Sequence, residues 1–279
     1  SEPITNKHLE NHGNYEITQE TLTVVKNTLQ VADFNLRSKL YAELREGKLP
    51  ICQQLLLEQL KVEDEAKMQN TILLFLHDTD INTINAKYIE PFLYAEDLQT
   101  ARSAIKLYAK LPDADFNKLK AFISAKEENK ATLQIRIETW RIFAKNPLAA
   151  KTLGNEVLAF RNDPELQIQV LALQTACLLE NRSAELSNWL DAAAKDKNPL
   201  LRLAAAKDPY PEKESRVKEL LNDQEAAIRV ATCEANHNQD LRVLLSCLND
   251  KDEAVQFALV KALQRQKVPF TEDDLAALM

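Results

Sequence analysis

The chain has 279 residues, 45% of them hydrophobic and 28% charged, with a formal net charge of −7 at pH 7 and a pI near 5.3. This is the composition of an ordered soluble protein, without an apolar run approaching the roughly 18 residues of a membrane span. Only Gly13, Gly47 and Gly154 occur, so no glycine-rich loop can fold its amides around a phosphate, which excludes Walker-type and Rossmann-type nucleotide sites.

Residues 1–16 are polar and lack the apolar centre and small-residue cleavage site of a signal peptide. They read as a flexible N-terminal arm, and a cytoplasmic location is expected. A first helix is predicted from Ile17 to Ala32. An apolar residue followed by Arg or Gln then recurs eight times: Leu36-Arg37, Met68-Gln69, Ala101-Arg102, Ile135-Arg136, Ile168-Gln169, Leu201-Arg202, Ile228-Arg229 and Val255-Gln256. The spacings are 32, 33, 34, 33, 33, 27 and 27, and a fixed period of this length marks stacked supersecondary units.

Counted from the first residue of each pair, apolar or small residues recur at offsets 0, +4, +7 and +8, the stripe of a helix buried on one side. Five residues ahead of six of these helices stands an acidic residue: Glu63, Glu96, Asp163, Asp196, Asp223 and Asp250. Carboxylates there suit the amide-rich helix start. Between these helices lie second apolar segments of about three turns: Pro50 to Lys61, Ile84 to Tyr94, Phe116 to Lys126, Leu148 to Phe160, Ala184 to Lys195, Lys213 to Leu221 and Leu241 to Leu248. Each unit is therefore a helical hairpin. Most prolines fall at the breaks, but Pro91 falls inside a segment and predicts a kink. Asp208-Pro209-Tyr210-Pro211 must stop the preceding helix early, where the spacing shortens, so a change of curvature is expected near 208–211. Thr271 and Asp274 suggest a capping box before a last short helix ending at Met279.

The Arg/Gln column at offset +1 reads first as a structural ladder, with long donors reaching a neighbouring carboxylate or carbonyl. Its other reading is a row of guanidinium groups along a groove for an acidic partner. Charge is unevenly placed: residues 1–100 carry 9 Lys/Arg against 16 Asp/Glu, whereas 101–161 carry 12 against 6, an excess of +6. A local positive field follows despite the acidic total. Within that segment Arg102, Lys106, Arg136, Trp140 and Arg141 form the candidate partner-binding site, because an aromatic beside guanidinium groups suits an acidic peptide or a phosphate. Trp140 has a second reading, as packing between repeats.

Cys52, Cys177, Cys233 and Cys247 show no CxxC pairing and no zinc-ligand spacing, and read as buried reduced thiols. A disulfide between Cys233 and Cys247 is the alternative reading. His8, His12, His77 and His237 form no convincing ligand set. No metal, cofactor or catalytic group is nominated.

The segments Asn222 to Ala235 (NDQEAAIRVATCEA) and Asn249 to Leu263 (NDKDEAVQFALVKAL), each with a leading Asp, an apolar-Arg/Gln pair and small residues, resemble the second helix of the HEAT repeat. The pattern runs from about Ile17 to Gln266. The resemblance implies an all-α, right-handed α-α superhelix of about eight hairpins, a single solenoid over 17–279. It also implies that the second helices line the concave face, and that the role is a non-catalytic scaffold binding a protein or peptide, with an acidic one favoured by the charge pattern. HEAT-like DNA glycosylases give a nucleic-acid-binding alternative, against which the acidic pI and 6% aromatic content argue. Bilin lyases with HEAT-like repeats give a lyase or chaperone alternative, without a diagnostic residue here. Oligomeric state is not readable from the chain.

Overall fold

A computed structural model of the chain describes residues 19–46, 50–124, 130–210, 214–236 and 241–265. The expected arm 1–16, the capping box at Thr271 and Asp274 and the last helix to Met279 lie outside these residues. The described residues are all-helical and contain no strand. In order they form α1 Gln19–Val31, α2 Phe34–Glu46, α3 Pro50–Val62, α4 Ala66–Leu76, α5 Leu98–Tyr108, α6 Asn117–Ser124, α7 Lys130–Phe143 and α8 Pro147–Leu153. There follow α9 Leu166–Cys177, α10 Ala184–Ala193, α11 Pro199–Ala206, α12 Glu214–Leu221, α13 Ala226–Ala235, α14 Leu241–Leu244 and α15 Glu253–Arg265. Each of the eight apolar-Arg/Gln pairs lies in its own helix: α2, α4, α5, α7, α9, α11, α13 and α15.

Local chemistry sets the starts. Asp97, Asn146, Ser183 and Asn198 accept hydrogen bonds from first-turn amides of α5, α8, α10 and α11, and Pro147 and Pro199 occupy first-turn positions where a missing amide costs nothing. The acidic residues at offset −5 act one step earlier than expected. Asp163, Asp223 and Asp250 accept from the amides of Glu165, Glu225 and Asp252, fixing the turn that leads into each helix.

The segment Ile84 to Tyr94 corrects the sequence reading. It is not a kinked three-turn helix; Ile81–Thr83, Ala86–Tyr88 and Glu90–Tyr94 are three short 3₁₀ helices. Asp80 and Asn85 capture the amides of Asn82 and Lys87, so short polar side chains restart the backbone every few residues. Pro91 then sits in a first turn, where its missing amide is harmless. Leu148 to Phe160 is likewise divided: α8 ends at Gly154, whose φ of 50° breaks the helix, and a 3₁₀ helix Gly154–Phe160 follows.

The helices form two compact units, residues 1–119 with 126–135 and residues 120–125 with 136–279. In the first, α2, α3 and α5 all pack on α4, and α5 packs on the 3₁₀ helix Glu90–Tyr94. Its core holds Leu40, Tyr41, Leu56, Met68, Ile72, Leu76, Ala104 and Tyr108. In the second, α9 packs on α11, α11 on α13 and α13 on α15, so the helices that carry the paired motif lie side by side. Between them α10 covers α11, and α12 covers α13. Leu173, Leu190, Ala204, Leu220 and Ile228 make one buried cluster there, and Val217, Cys233, Leu244, Val255 and Leu259 another. Small residues at Ala172, Ala176, Ala204, Ala205, Ala258 and Ala262, all nearly solvent-free, let neighbouring helices approach closely.

Candidate functional site

Seven of the eight residues at offset +1, all except Arg102, are joined within the protein in three relays. Arg37 Nη1 donates to both carboxylate oxygens of Glu63 at 2.8 and 3.0 Å, and Gln69 Nε2 donates to the Glu63 carbonyl at 2.7 Å. Arg136 Nη2 pairs with Asp163, whose carbonyl accepts from Gln169 at 2.6 Å. The third relay is longer: Arg202 holds Asp223, Arg229 holds Asp250, and Gln256 donates to the Asp250 carbonyl at 2.7 Å. Arg202 and Arg229 also reach back to the carbonyls of Asp196 and Asp223, at 2.9 and 2.8 Å. Arg202 and Arg229 thus each bond the turn of their own repeat and the carboxylate of the next, a charge-assisted link in a part-buried setting.

The predicted site residues separate between the two units. Arg102 and Lys106 stand on α5 in the first, one turn apart on the same helix face, and Lys110 continues that line just beyond the helix. Arg102 is half-buried and donates to Gln99 at 3.5 Å, while Lys106 and Lys110 are exposed. His77, at the end of α4, has Nδ1 3.4 Å from Lys110 Nζ. Burial holds the His77 imidazole below its ordinary 6.5, and Lys110 and Lys106 push it further down against the opposing pull of Asp78.

Arg136, Trp140 and Arg141 stand on α7 in the second unit, and two of them correct the sequence reading. Trp140 is fully buried, with its ring 4.7 Å from Phe160 in an edge-to-face contact and 6.3 Å from Phe143. It therefore offers no surface to a partner, and its other reading, packing, is what the structure gives. The reason is its packing on Phe160 and Phe143, since the same offset is buried at Leu73 and Leu173 but exposed at Lys106 and Val260. Arg136 is likewise buried, bonded to Asp163 and through Nε to the Ile123 carbonyl at 2.9 Å. Arg141 remains part-exposed and pairs with Glu138 at 2.9 Å.

A second arginine centre carried no sequence signal. Arg182, whose side chain is wholly buried, donates to the two oxygens of Asp208 at 2.7 and 2.6 Å. It also donates to the carbonyls of Leu179 and Cys177 at the end of α9 and to that of Tyr210. Arg216, equally buried, lies 3.0 Å from Asp208 and 3.5 Å from Asp191. Arg182 thus ties the end of one helix to the Asp208-Pro209-Tyr210 turn that stops α11. Beside the third relay lies an open groove of about 700 Å³ between α10 to α13, lined by Lys195, Asp196, Arg202, Lys218, Glu219 and Asp223. Both charge signs meet there, so it selects neither.

Among the described residues no cluster of three His, Cys, Asp or Glu side chains could hold a metal ion, and no helix is long and apolar enough to cross a membrane. No protein-family model and no curated protein sequence matches the chain. Among solved structures it is similar to an engineered protein at 11% identity and a TM-score of 0.45, over 89% of this chain and 79% of that one. A second engineered protein is similar at 12% identity and a TM-score of 0.33, over 86% and 94%. Likeness at this level carries no argument about role.

Proposed function

We propose that this chain is a HEAT-like α-solenoid acting as a non-catalytic scaffold, and that it captures an acidic segment of a partner protein on the α5 face of its first unit. Side-by-side packing of the motif helices within the second unit, and the repetition of the Arg relay, support the repeat reading. The observation that carries the binding role is the cation line Arg102, Lys106 and Lys110 along one face of α5 and its end, with Lys106 and Lys110 exposed. An acidic peptide lying along the line would lower the mutual repulsion of these groups, and that relief is binding energy. With Arg136 and Trp140 buried, the surface is smaller than the sequence reading had it, and Arg141 belongs to the second unit.

The test uses a fluorescein-labelled oligo-glutamate peptide, an oligo-lysine control and a DNA duplex, each titrated into the full chain at two salt concentrations. The oligo-glutamate peptide should bind, should lose affinity as salt shortens the Debye length below about 8 Å, and should bind Lys106→Glu/Lys110→Glu at least tenfold more weakly. Binding of oligo-glutamate undiminished by the double substitution, with the fold intact by circular dichroism, would remove α5 as the surface. Tighter binding of the duplex than of the peptide would favour the nucleic-acid reading.

A further inference from the structure

Four cysteines are buried, and they are not alike. Cys177 donates its thiol to the Ala204 carbonyl at 3.4 Å, a structural hydrogen bond in the core of the second unit. Cys52 lies in α3 of the first unit. Cys233, on α13, and Cys247, in the 3₁₀ helix Leu245–Asn249, belong to the same buried cluster, and their thiols hydrogen-bond to each other.

We propose that Cys233 and Cys247 are a modification site: they close into an intramolecular disulfide when the terminal hairpin meets a small-molecule disulfide oxidant. The chemistry balances in two exchanges. The Cys233 thiol loses its proton to solvent, its thiolate attacks one sulfur of the oxidant, and the oxidant's other sulfur leaves as a thiolate. The Cys247 thiolate then attacks the Cys233 sulfur of that mixed disulfide, forming the internal bond and expelling the second oxidant thiolate. Two protein thiols are oxidised, one oxidant disulfide is reduced, and both product thiolates take up protons.

Geometry decides when this happens. Both side chains are almost solvent-free. The hydrogen bond to Cys247, together with burial and the nearby Asp250 and Glu234, raises the Cys233 thiol far above the ordinary thiol range. In the closed structure the nucleophile is therefore absent and the oxidant excluded. Reaction waits on opening of these elements, and the two thiols, already neighbours in one buried cluster, are then placed to join. The bond would join α13 to the 3₁₀ helix Leu245–Asn249 and lock the two against further opening. Cys177, whose thiol bonds the Ala204 carbonyl within the other buried cluster, stays reduced under the same conditions.

The experiment treats the full chain with oxidised glutathione and follows intact mass, thermal unfolding and tryptic peptides. Cleavage after Arg229, Arg242 and Lys251 separates the two cysteines onto the peptides 230–242 and 243–251, so a disulfide is seen as a linked pair two hydrogens lighter than the sum. The linked pair is expected in the parent and absent from Cys233→Ser and Cys247→Ser, with an upward shift of the parent's unfolding midpoint that dithiothreitol reverses. Stable glutathione adducts on Cys233 or Cys247 without the linked pair would overturn the proposal. So would unlinked cysteines at a temperature where iodoacetamide alkylates both, since opening would then have occurred without closure.

Discussion

Arg229 grips Asp250 with both Nε and Nη2, at 2.7 and 2.8 Å, while its Nη1 reaches back to the carbonyls of Asp223 and Gln224 at 2.8 and 3.2 Å. One guanidinium thus joins two successive turns, with its side chain 5% exposed. Replacing Arg229 by Ala leaves the Asp250 carboxylate and two carbonyls short of donors, and should lower the unfolding free energy by about 1–3 kcal/mol. Gln256→Ala, which removes a single neutral bond from an exposed residue, should cost about 1 kcal/mol or less. Urea unfolding of the two variants beside the parent checks the order; equal costs would mean that the relay contributes no more than an isolated amide bond.

The same pairs make stability depend on acid. Asp250 is held below its ordinary value of 3.8 by the Arg229 hydrogen bond, which outweighs burial. For Asp223 burial pushes upward, and the bonds from Arg202 and the Glu225 amide prevail, again leaving it below 3.8. A depressed carboxyl binds its proton less readily folded than unfolded, so its stabilisation is complete above 3.8 and drains away as pH falls through the folded value. The stability gap between the parent and an Arg202→Gln/Arg229→Gln variant should therefore be constant near neutrality and narrow on acidification below 3.8. A gap unchanged across that interval would mean that the arginines act through packing and not through charge.

Arg182 should prove the more sensitive arginine. Its side chain has no exposed surface, and the Asp208 it serves is 2% exposed. Arg182→Met keeps the stem and removes five donors, leaving Asp208 with Arg216 and the Tyr210 amide, and the carbonyls of Cys177 and Leu179 unserved. The expected cost is about 3–5 kcal/mol, the range for breaking a buried pair, and adding Asp208→Asn should recover part of it. A loss no larger than that of Arg229→Ala would mean that the full burial of this cluster adds nothing beyond a relay pair.

Much of the architecture was legible because it repeats. Periodic apolar spacing locates every helix that carries the paired motif, and the long donor next to each apolar residue announced the relay. What escaped was whatever a single repeat does differently. Ile84 to Tyr94 has enough apolar residues for a helix, but Asp80, Asn85 and Pro91 outweigh them through local bonds that a periodicity count does not weigh. Trp140 looked like a contact residue because it neighbours arginines in sequence; its burial depends on Phe160, which arrives from a 3₁₀ helix 20 residues later. Arg182 and Asp208 lie 26 residues apart at no shared offset, so no column exposed their pairing. For the cation line on α5, Arg102 and Lys106 were legible, whereas His77 and Lys110 needed the packing of α4 against α5 to become neighbours.

Every relay opens with an arginine and closes with a glutamine, and between them each carboxylate meets one guanidinium. Removing residues 223–249, one whole 27-residue period, would bring Asp250 to the place Asp223 now holds opposite Arg202, with Gln256 still ending the run. Inserting another such period would add one cation and one anion together. The array's length is therefore uncoupled from its internal charge balance, a property that lets a tandem gene grow or shrink without stranding an ion in the interior.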